Sequence, residues 1–167
     1  MIDRTHESSA RGWRVSLVAA SALLAWSAAA VAETSVNTGY FGGVAIEGYD
    51  TVAYFTDGEA KKGSEEFAYD WLGATWYFAN AEHRDLFAEH PVRYAPQYGG
   101  HCAVGTASGE STANIDPEAW SIVDGKLYLQ YSQGAQEEWE QDRANMIAAA
   151  DEKWPEVKAR LENESGG

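Results

Sequence analysis

Residues 73–87 read GATWYFANAEHRDLF, and this stretch decides the expected fold. Its first part is rich in the β-branched and aromatic residues that favour strands. Gly73 marks the turn of a hairpin, because the alternating segment 67–71 precedes it. Asn80 is then a favourable N-cap for a helix that Pro91 ends. A hairpin that leads directly into a helix predicts an α+β fold.

Strand and turn signals continue on both sides of this unit. Upstream, Val52–Phe55 is short and apolar, which predicts a buried strand. Downstream, residues 105–115 are small and polar and predict a surface loop, and Asp116-Pro117 predicts a short helical turn. Asp124-Gly125 is the strongest turn signal in the chain and predicts a second hairpin over residues 120–131.

The remainder of the chain has helical patterns. A segment near 135–141 leads into 145–153, Pro155 is expected to interrupt the helix, and 156–161 is expected to form a last helical stretch. Residues 162–167 are polar and predict a disordered tail. The expected fold is therefore a small single α+β domain of β-hairpins with a short central helix and C-terminal helices. No internal repeat and no interdomain linker is evident.

The first 32 residues have the order of a secretory signal peptide. Three arginines precede the uncharged apolar run Val15–Ala30, and a small-x-small site ends at Ala32. The run is shorter than the ~20 apolar residues that a membrane-spanning helix needs. We therefore expect cleavage after Ala32, a flexible lead-in over 33–43 and a domain over 44–161. The expected location is the periplasm, with the extracellular medium as the alternative, and no membrane anchor after cleavage.

The charge of the chain limits its partners. The 167 residues include 12 basic and 26 acidic side chains, a formal net charge of −14. Without residues 1–32, nine basic and 24 acidic side chains remain, a net charge of −15. Such a surface repels phosphate backbones and anionic lipids, so no nucleic-acid partner is expected. A cation or a basic partner is electrostatically favoured.

Several aromatic, glycine and proline residues agree in order and spacing with a known family. A G-x-x-Y-x-F-like strand, a helix that contains a Phe and a following P-x-x-Y resemble the core of YHS domains. Two later segments are similar to an exported bacterial branch of that family, and the resemblance covers about 44–154. The matching segments are 48–55, 73–87, 90–94, 94–103 and 120–131.

The resemblance implies metal chemistry, with a departure from the usual ligands. In metal-handling YHS domains, cysteines on the strand and the helix are believed to bind heavy metals. The corresponding positions here hold Ala53, Ala79 and His83, so the usual thiolate set is absent. The resemblance therefore implies redox or soft-metal chemistry without determining which.

Cys102 is the only cysteine and the central candidate residue. His101 precedes it, and a thiolate with an imidazole is a ligand pair that suits Cu(I) or Zn(II). His83 lies at helical spacing from Leu86 and Phe87, so we expect it near the buried face of its helix. We predict that Cys102 binds a soft metal ion, copper or zinc, with His101 or His83 as a further ligand, in a handling or sensing role.

Two alternatives stay open. In the first, Cys102 is a redox thiol that forms a mixed disulfide or a sulfenic acid. In the second, Cys102 packs as a small hydrophobic residue, and the protein is a ligand- or protein-binding module with exposed aromatic residues such as Tyr98 and Trp71. The sequence contains no phosphate-binding loop, dinucleotide fingerprint or nucleophile elbow, so no catalytic residue is predicted.

Overall fold

The computed structural model of the chain describes residues 35–39 and 42–165. The predicted signal peptide, residues 1–32, and part of the predicted lead-in lie outside the described residues. Among the described helices, none combines the length and the apolar character needed to cross a membrane.

The described residues form a small α+β fold of helices and antiparallel hairpins, as the sequence predicts. Two one-turn 3₁₀ segments, Ala45–Gly48 and Gln97–Gly100, precede the first and the second hairpin units. The helices and strands are α1 (Ala53–Thr56), β1 (Ser64–Trp71), β2 (Ala74–Phe78), α2 (Ala81–Glu89), α3 (Pro91–Tyr94), α4 (Ala103–Ala107), β3 (Asp116–Val123), β4 (Lys126–Gln130), α5 (Gln133–Gln141) and α6 (Arg143–Ser165).

The unit predicted from residues 73–87 is confirmed. Strands β1 and β2 pair in antiparallel orientation around the turn at Leu72-Gly73. The side chain of Asn80 accepts a hydrogen bond from the backbone N–H of His83, so it caps α2 as predicted. The helix ends at Glu89, and Pro91 begins the separate one-turn helix α3.

Phe87 of α2 is at the centre of the main aromatic core. It is fully buried, and its ring centroid lies 4.9 Å from that of Trp76 and 5.0 Å from that of Phe78. Trp71 contacts it edge-on at 5.6 Å. This packing fixes α2 against the first hairpin, and α2 carries His83.

The described part of the chain contains an internal structural repeat. In both halves an eight-residue strand pairs with a five-residue strand, and the pairing register shifts within the longer strand. A two-residue turn with positive φ joins each pair, at Leu72-Gly73 and at Asp124-Gly125. A capping side chain, Asn80 or Ser132, then begins a nine-residue helix. Equivalent residues differ by 52 in number, as 72 and 124 or 80 and 132 do.

The repeat also includes the segments before the hairpins. Residues 46–47 and residues 98–99 all have left-handed backbone angles. Each turn leads to a fully buried residue, Asp50 or Cys102, whose side chain accepts a hydrogen bond from the backbone N–H three residues later. The expectation that the chain has no internal repeat is wrong, because backbone conformation repeats while most side chains differ.

Two local predictions before the hairpins are also wrong. Val52–Phe55 is not a strand, since α1 occupies Ala53–Thr56. Asp50 explains the difference, because its Oδ1 atom accepts hydrogen bonds from the backbone N–H groups of Val52 and Ala53 and so starts a helix. The predicted loop over 105–115 is shorter than expected, because α4 continues to Ala107.

Asp116-Pro117 lies in strand β3 and does not form a helical turn. The register of β3 against β4 shifts between Asp116 and Trp120, so Pro117 falls in an irregularity where a missing N–H breaks no ladder hydrogen bond. The carbonyl of Pro117 accepts a hydrogen bond from the hydroxyl of Tyr54. The hairpin predicted around Asp124-Gly125 is confirmed.

The C-terminal helix is longer than predicted. Helix α6 continues through Pro155 and extends to Ser165, so neither the interruption nor a tail from residue 162 is observed. Ala150 and Val157 are buried on either side of Pro155, and α6 packs against α4. This packing stabilises the helix across the proline, which local propensity alone does not do.

Candidate functional site

The three residues predicted as metal ligands lie in separate hydrogen-bond networks. Cys102 contacts Gln130, His101 contacts Thr112, and the Nδ1 atom of His83 contacts Asp50. Within residues 35–39 and 42–165, no group of three or more His, Cys, Asp and Glu side chains is arranged to hold a metal ion. The soft-metal hypothesis stays a prediction.

Cys102 is fully buried at the start of α4. Its thiol donates a hydrogen bond to Oε1 of Gln130 at 3.4 Å. Its Sγ atom also accepts a hydrogen bond from the N–H of Gly105 at 3.5 Å. The N–H of Val104 also donates to Oε1 of Gln130, which keeps this oxygen directed towards the thiol. The thiol is therefore buried and hydrogen-bonded, and Cys102 acts as the N-cap of α4.

His101 is buried and connects the lead-in segment to the domain. Its Nδ1 atom lies 3.2 Å from the carbonyl oxygen of Thr112, and it also makes a backbone hydrogen bond with Ser35. Its ring stacks obliquely near Trp154. Burial lowers the pKa of His101, and the two backbone hydrogen bonds oppose that change without cancelling it.

The lowered pKa of His101 gives stability a pH dependence. The folded protein binds a proton at His101 more weakly than the unfolded chain does. The stability that the buried, neutral ring contributes is therefore complete above the ordinary histidine pKa of about 6.5 and decreases as the pH falls below it. When the pH is lowered from about 7.5 to about 5.5, we expect the free energy of unfolding to decrease less in His101→Gln than in the wild type. Urea denaturation at both pH values measures this difference. His90→Gln is the control, because His90 is exposed. An unchanged pH dependence in His101→Gln would contradict the assignment.

A second polar centre, which the sequence interpretation missed, surrounds Asp50. The carboxylate is fully buried and accepts hydrogen bonds from the N–H groups of Val52, Ala53 and Ala79. Its Oδ2 atom also lies 2.6 Å from Nδ1 of His83. His83 is buried on the inner face of α2, as predicted.

The other ring nitrogen of His83 faces the surface end of α1. Nε2 lies 3.2 Å from Oγ1 of Thr56 and 3.8 Å from Oδ1 of Asp57, both of which are exposed residues. Asp50 therefore orients an imidazole whose second nitrogen is in contact with a hydroxyl group. The sequence signals for this network are Asp50 at a turn, in the position of a helix cap, and the helical spacing of His83.

Of the two aromatic residues expected at the surface, Tyr98 is buried and Trp71 is half-buried. Tyr98 is buried, and its hydroxyl donates a hydrogen bond to Oδ1 of Asp151 at 2.9 Å. Burial, with the hydrogen bond to Asp151, raises the pKa of Tyr98. Trp71 is half-buried and packs on Phe87. The expectation of an exposed Tyr98 is therefore wrong.

A groove of about 650 Å³ lies beside the first hairpin. Among the described residues, its lining includes several glycines, Val44, Tyr77 and three charged residues. The lining residues given by the structure are Thr38, Gly39, Gly42, Val44, Glu47, Gly48, Lys62, Gly63, Glu65, Tyr77, Ala113 and Asn114.

Comparison of the chain with protein-family models, curated proteins and solved structures finds no significant match. Function is therefore inferred from the geometry of the chain itself.

Proposed function

We propose that the protein is an exported YHS-type ligand-binding module in which Cys102 is a core residue and takes no part in chemistry. The observation that carries this proposal is the complete burial of Cys102 together with its hydrogen bond to Gln130. A redox thiol needs access to its reaction partner, and reactive cysteines lie in partly exposed sites. A metal site needs converging ligands, and Cys102, His101 and His83 lie in separate hydrogen-bond networks. This favours the binding alternative over the thiol-redox and Cys102-metal alternatives.

The groove beside the first hairpin is the proposed ligand site. Its volume of about 650 Å³ falls within the range of small-molecule sites, which are mainly apolar with a few polar groups. Val44 and Tyr77 supply apolar surface. Gly39 and Gly42 leave backbone open to a ligand, because an added Cβ at either position would meet no atom within 4 Å. The site thus fits a small molecule with an apolar body.

The charges around the groove favour a cationic group on that ligand. Glu47 and Glu65 are exposed carboxylates of the lining. Lys62 is already engaged, because its Nζ atom donates to the carbonyl oxygen of Glu47 and lies 4.5 Å above the ring of Tyr49. The net charge, −15 without residues 1–32, attracts cations to the whole surface. The proposed ligand class is therefore a small aromatic or aliphatic amine.

Two probes of similar size and opposite charge test this proposal. We expect phenethylamine to bind in the millimolar range and to shift the amide resonances of Gly48, Gly63 and Tyr77, and hydrocinnamate to bind more weakly. Glu65→Gln should weaken phenethylamine binding about two- to fivefold, as loss of an exposed ion pair does. Glu66→Gln is the matched control, because the neighbouring strand residue is exposed but does not line the groove.

Three results would contradict the groove assignment. They are tighter binding of hydrocinnamate than of phenethylamine, resonance shifts confined to residues outside the groove, and equal effects of Glu65→Gln and Glu66→Gln. Each result would remove the charge argument or the location on which the proposal rests.

A further inference from the structure

Asp50, His83 and Thr56 form a connected series of an orienting carboxylate, an imidazole and a hydroxyl. The distances are 2.6 Å between Oδ2 of Asp50 and Nδ1 of His83, and 3.2 Å between Nε2 of His83 and Oγ1 of Thr56. A hydroxyl within hydrogen-bond distance of a base that a third group orients is the usual arrangement of an activated nucleophile. We propose that Thr56 is an acyl acceptor, with His83 as its base and Asp50 as the positioning residue.

The internal repeat supplies an independent argument. The residues equivalent to Asp50 and His83 in the second half are Cys102 and Ala135. Cys102 accepts the same helix-starting hydrogen bond as Asp50, so that role belongs to the shared fold. Ala135 shows that the hairpin–helix unit forms without a histidine at this position. The second half therefore has neither the carboxylate nor the histidine, and the Asp50–His83 pair is an addition of the first half to the shared fold unit.

The arrangement also places the hydroxyl where a substrate can reach it. Asp50 is fully buried and its carboxylate is held by three backbone N–H groups, so it cannot turn away from the imidazole. Thr56 is exposed at the end of α1. The hydroxyl also contacts the carbonyl oxygen of Val52 at 3.2 Å and Oδ1 of Asp57 at 2.9 Å. The proposed step requires that its proton turns from these acceptors towards Nε2 of His83, which is the acceptor that Asp50 orients.

The proposed reaction is acyl transfer from a carboxylic ester. Oγ1 of Thr56 forms a bond to the carbonyl carbon, and the bond from that carbon to the alcohol oxygen of the ester breaks. The hydroxyl proton of Thr56 passes to Nε2 of His83 and then to the departing oxygen, which leaves as an alcohol. The product is an ester on Thr56, and no oxidant or reductant takes part. This activity goes beyond the proposed binding function and does not depend on it.

An activated ester tests the proposal. With p-nitrophenyl acetate, we expect a burst of roughly one nitrophenol per protein and an acetyl group on Thr56, located by peptide mass spectrometry. Thr56→Val should abolish the burst and Thr56→Ser should retain it. Ser108→Ala is the matched control, because Ser108 is the equivalent residue of the second half, is exposed and contacts the carbonyl of Val104 as Thr56 contacts that of Val52.

Asp50→Asn tests the positioning role. An amide in this position favours the other tautomer of His83, which no longer accepts the hydroxyl proton, so the acylation rate constant should decrease at least about 100-fold. The burst should still reach roughly one nitrophenol per protein, because partial unfolding would instead lower the burst amplitude and leave the rate constant of the folded molecules unchanged. A burst that survives in Thr56→Val, an acetyl group found on another residue or no burst in the wild type would each overturn the proposal.

Discussion

Replacement of Asp50 by alanine is expected to lower the free energy of unfolding by about 3 to 5 kcal/mol. The carboxylate is fully buried and accepts hydrogen bonds from three backbone N–H groups and from His83. Removing it leaves these donors without their partner at about 1 to 3 kcal/mol for each one that stays unpaired, and water that enters the vacated space pairs with some of them. The network also joins α1, β2 and α2, so its loss affects three elements of the first half.

Urea denaturation at neutral pH measures this change. The control is Glu66→Ala, which removes an exposed carboxylate from β1 and should change stability by less than about 0.5 kcal/mol. A loss below about 1 kcal/mol in Asp50→Ala would contradict the account of the network, since even one unpaired buried donor costs that much.

The elements that the sequence predicted correctly are those with local signals. Gly73 and Asp124-Gly125 are residues that adopt positive φ readily and mark the two hairpin turns. Asn80 caps α2 three residues before the N–H that it binds. These signals act over two to four residues, so the residues themselves contain the information. The α+β class followed directly from them.

The wrong predictions share a tertiary cause. Val52–Phe55 is apolar enough for a strand, but it begins a helix because Asp50 accepts hydrogen bonds from its first backbone N–H groups. Ala79 and His83, which are distant in sequence, hold the carboxylate of Asp50 in that position. Pro155 normally ends a helix, but packing of α6 against α4 continues it. The repeat escaped detection because equivalent positions such as Phe78 and Gln130 share backbone geometry and not chemistry.

The candidate sites were predictable only in part. Cys102 and His83 were identified as residues of interest from their chemistry, and the burial of His83 followed from its helical spacing. Their partners were not identifiable, because Gln130 lies 28 residues from Cys102 and Asp50 lies 33 residues from His83. The side chains of the neighbouring residues His101 and Cys102 also have different partners, because consecutive side chains in an extended segment point in opposite directions. His101 contacts Thr112, and Cys102 contacts Gln130.

The second large effect concerns the thiol. Because Cys102 is fully buried and hydrogen-bonded to Gln130, alkylation requires that the structure around α4 opens first. We expect iodoacetamide to label Cys102 in the folded protein at least roughly 1000-fold more slowly than an exposed thiol, which corresponds to an opening free energy of about 4 kcal/mol. The labelling rate should rise with urea in parallel with unfolding.

The native-state alkylation rate of Cys102 is therefore the most direct test of the claim that the thiol takes no part in chemistry. The reference is a protein with Cys102→Ser and Ser108→Cys, which carries one exposed thiol at the end of the same helix. The account predicts labelling of the wild type that is slower by the factor given above and limited by unfolding. Labelling of folded wild-type protein within about tenfold of the reference rate would contradict it and restore the thiol-redox and Cys102-metal hypotheses.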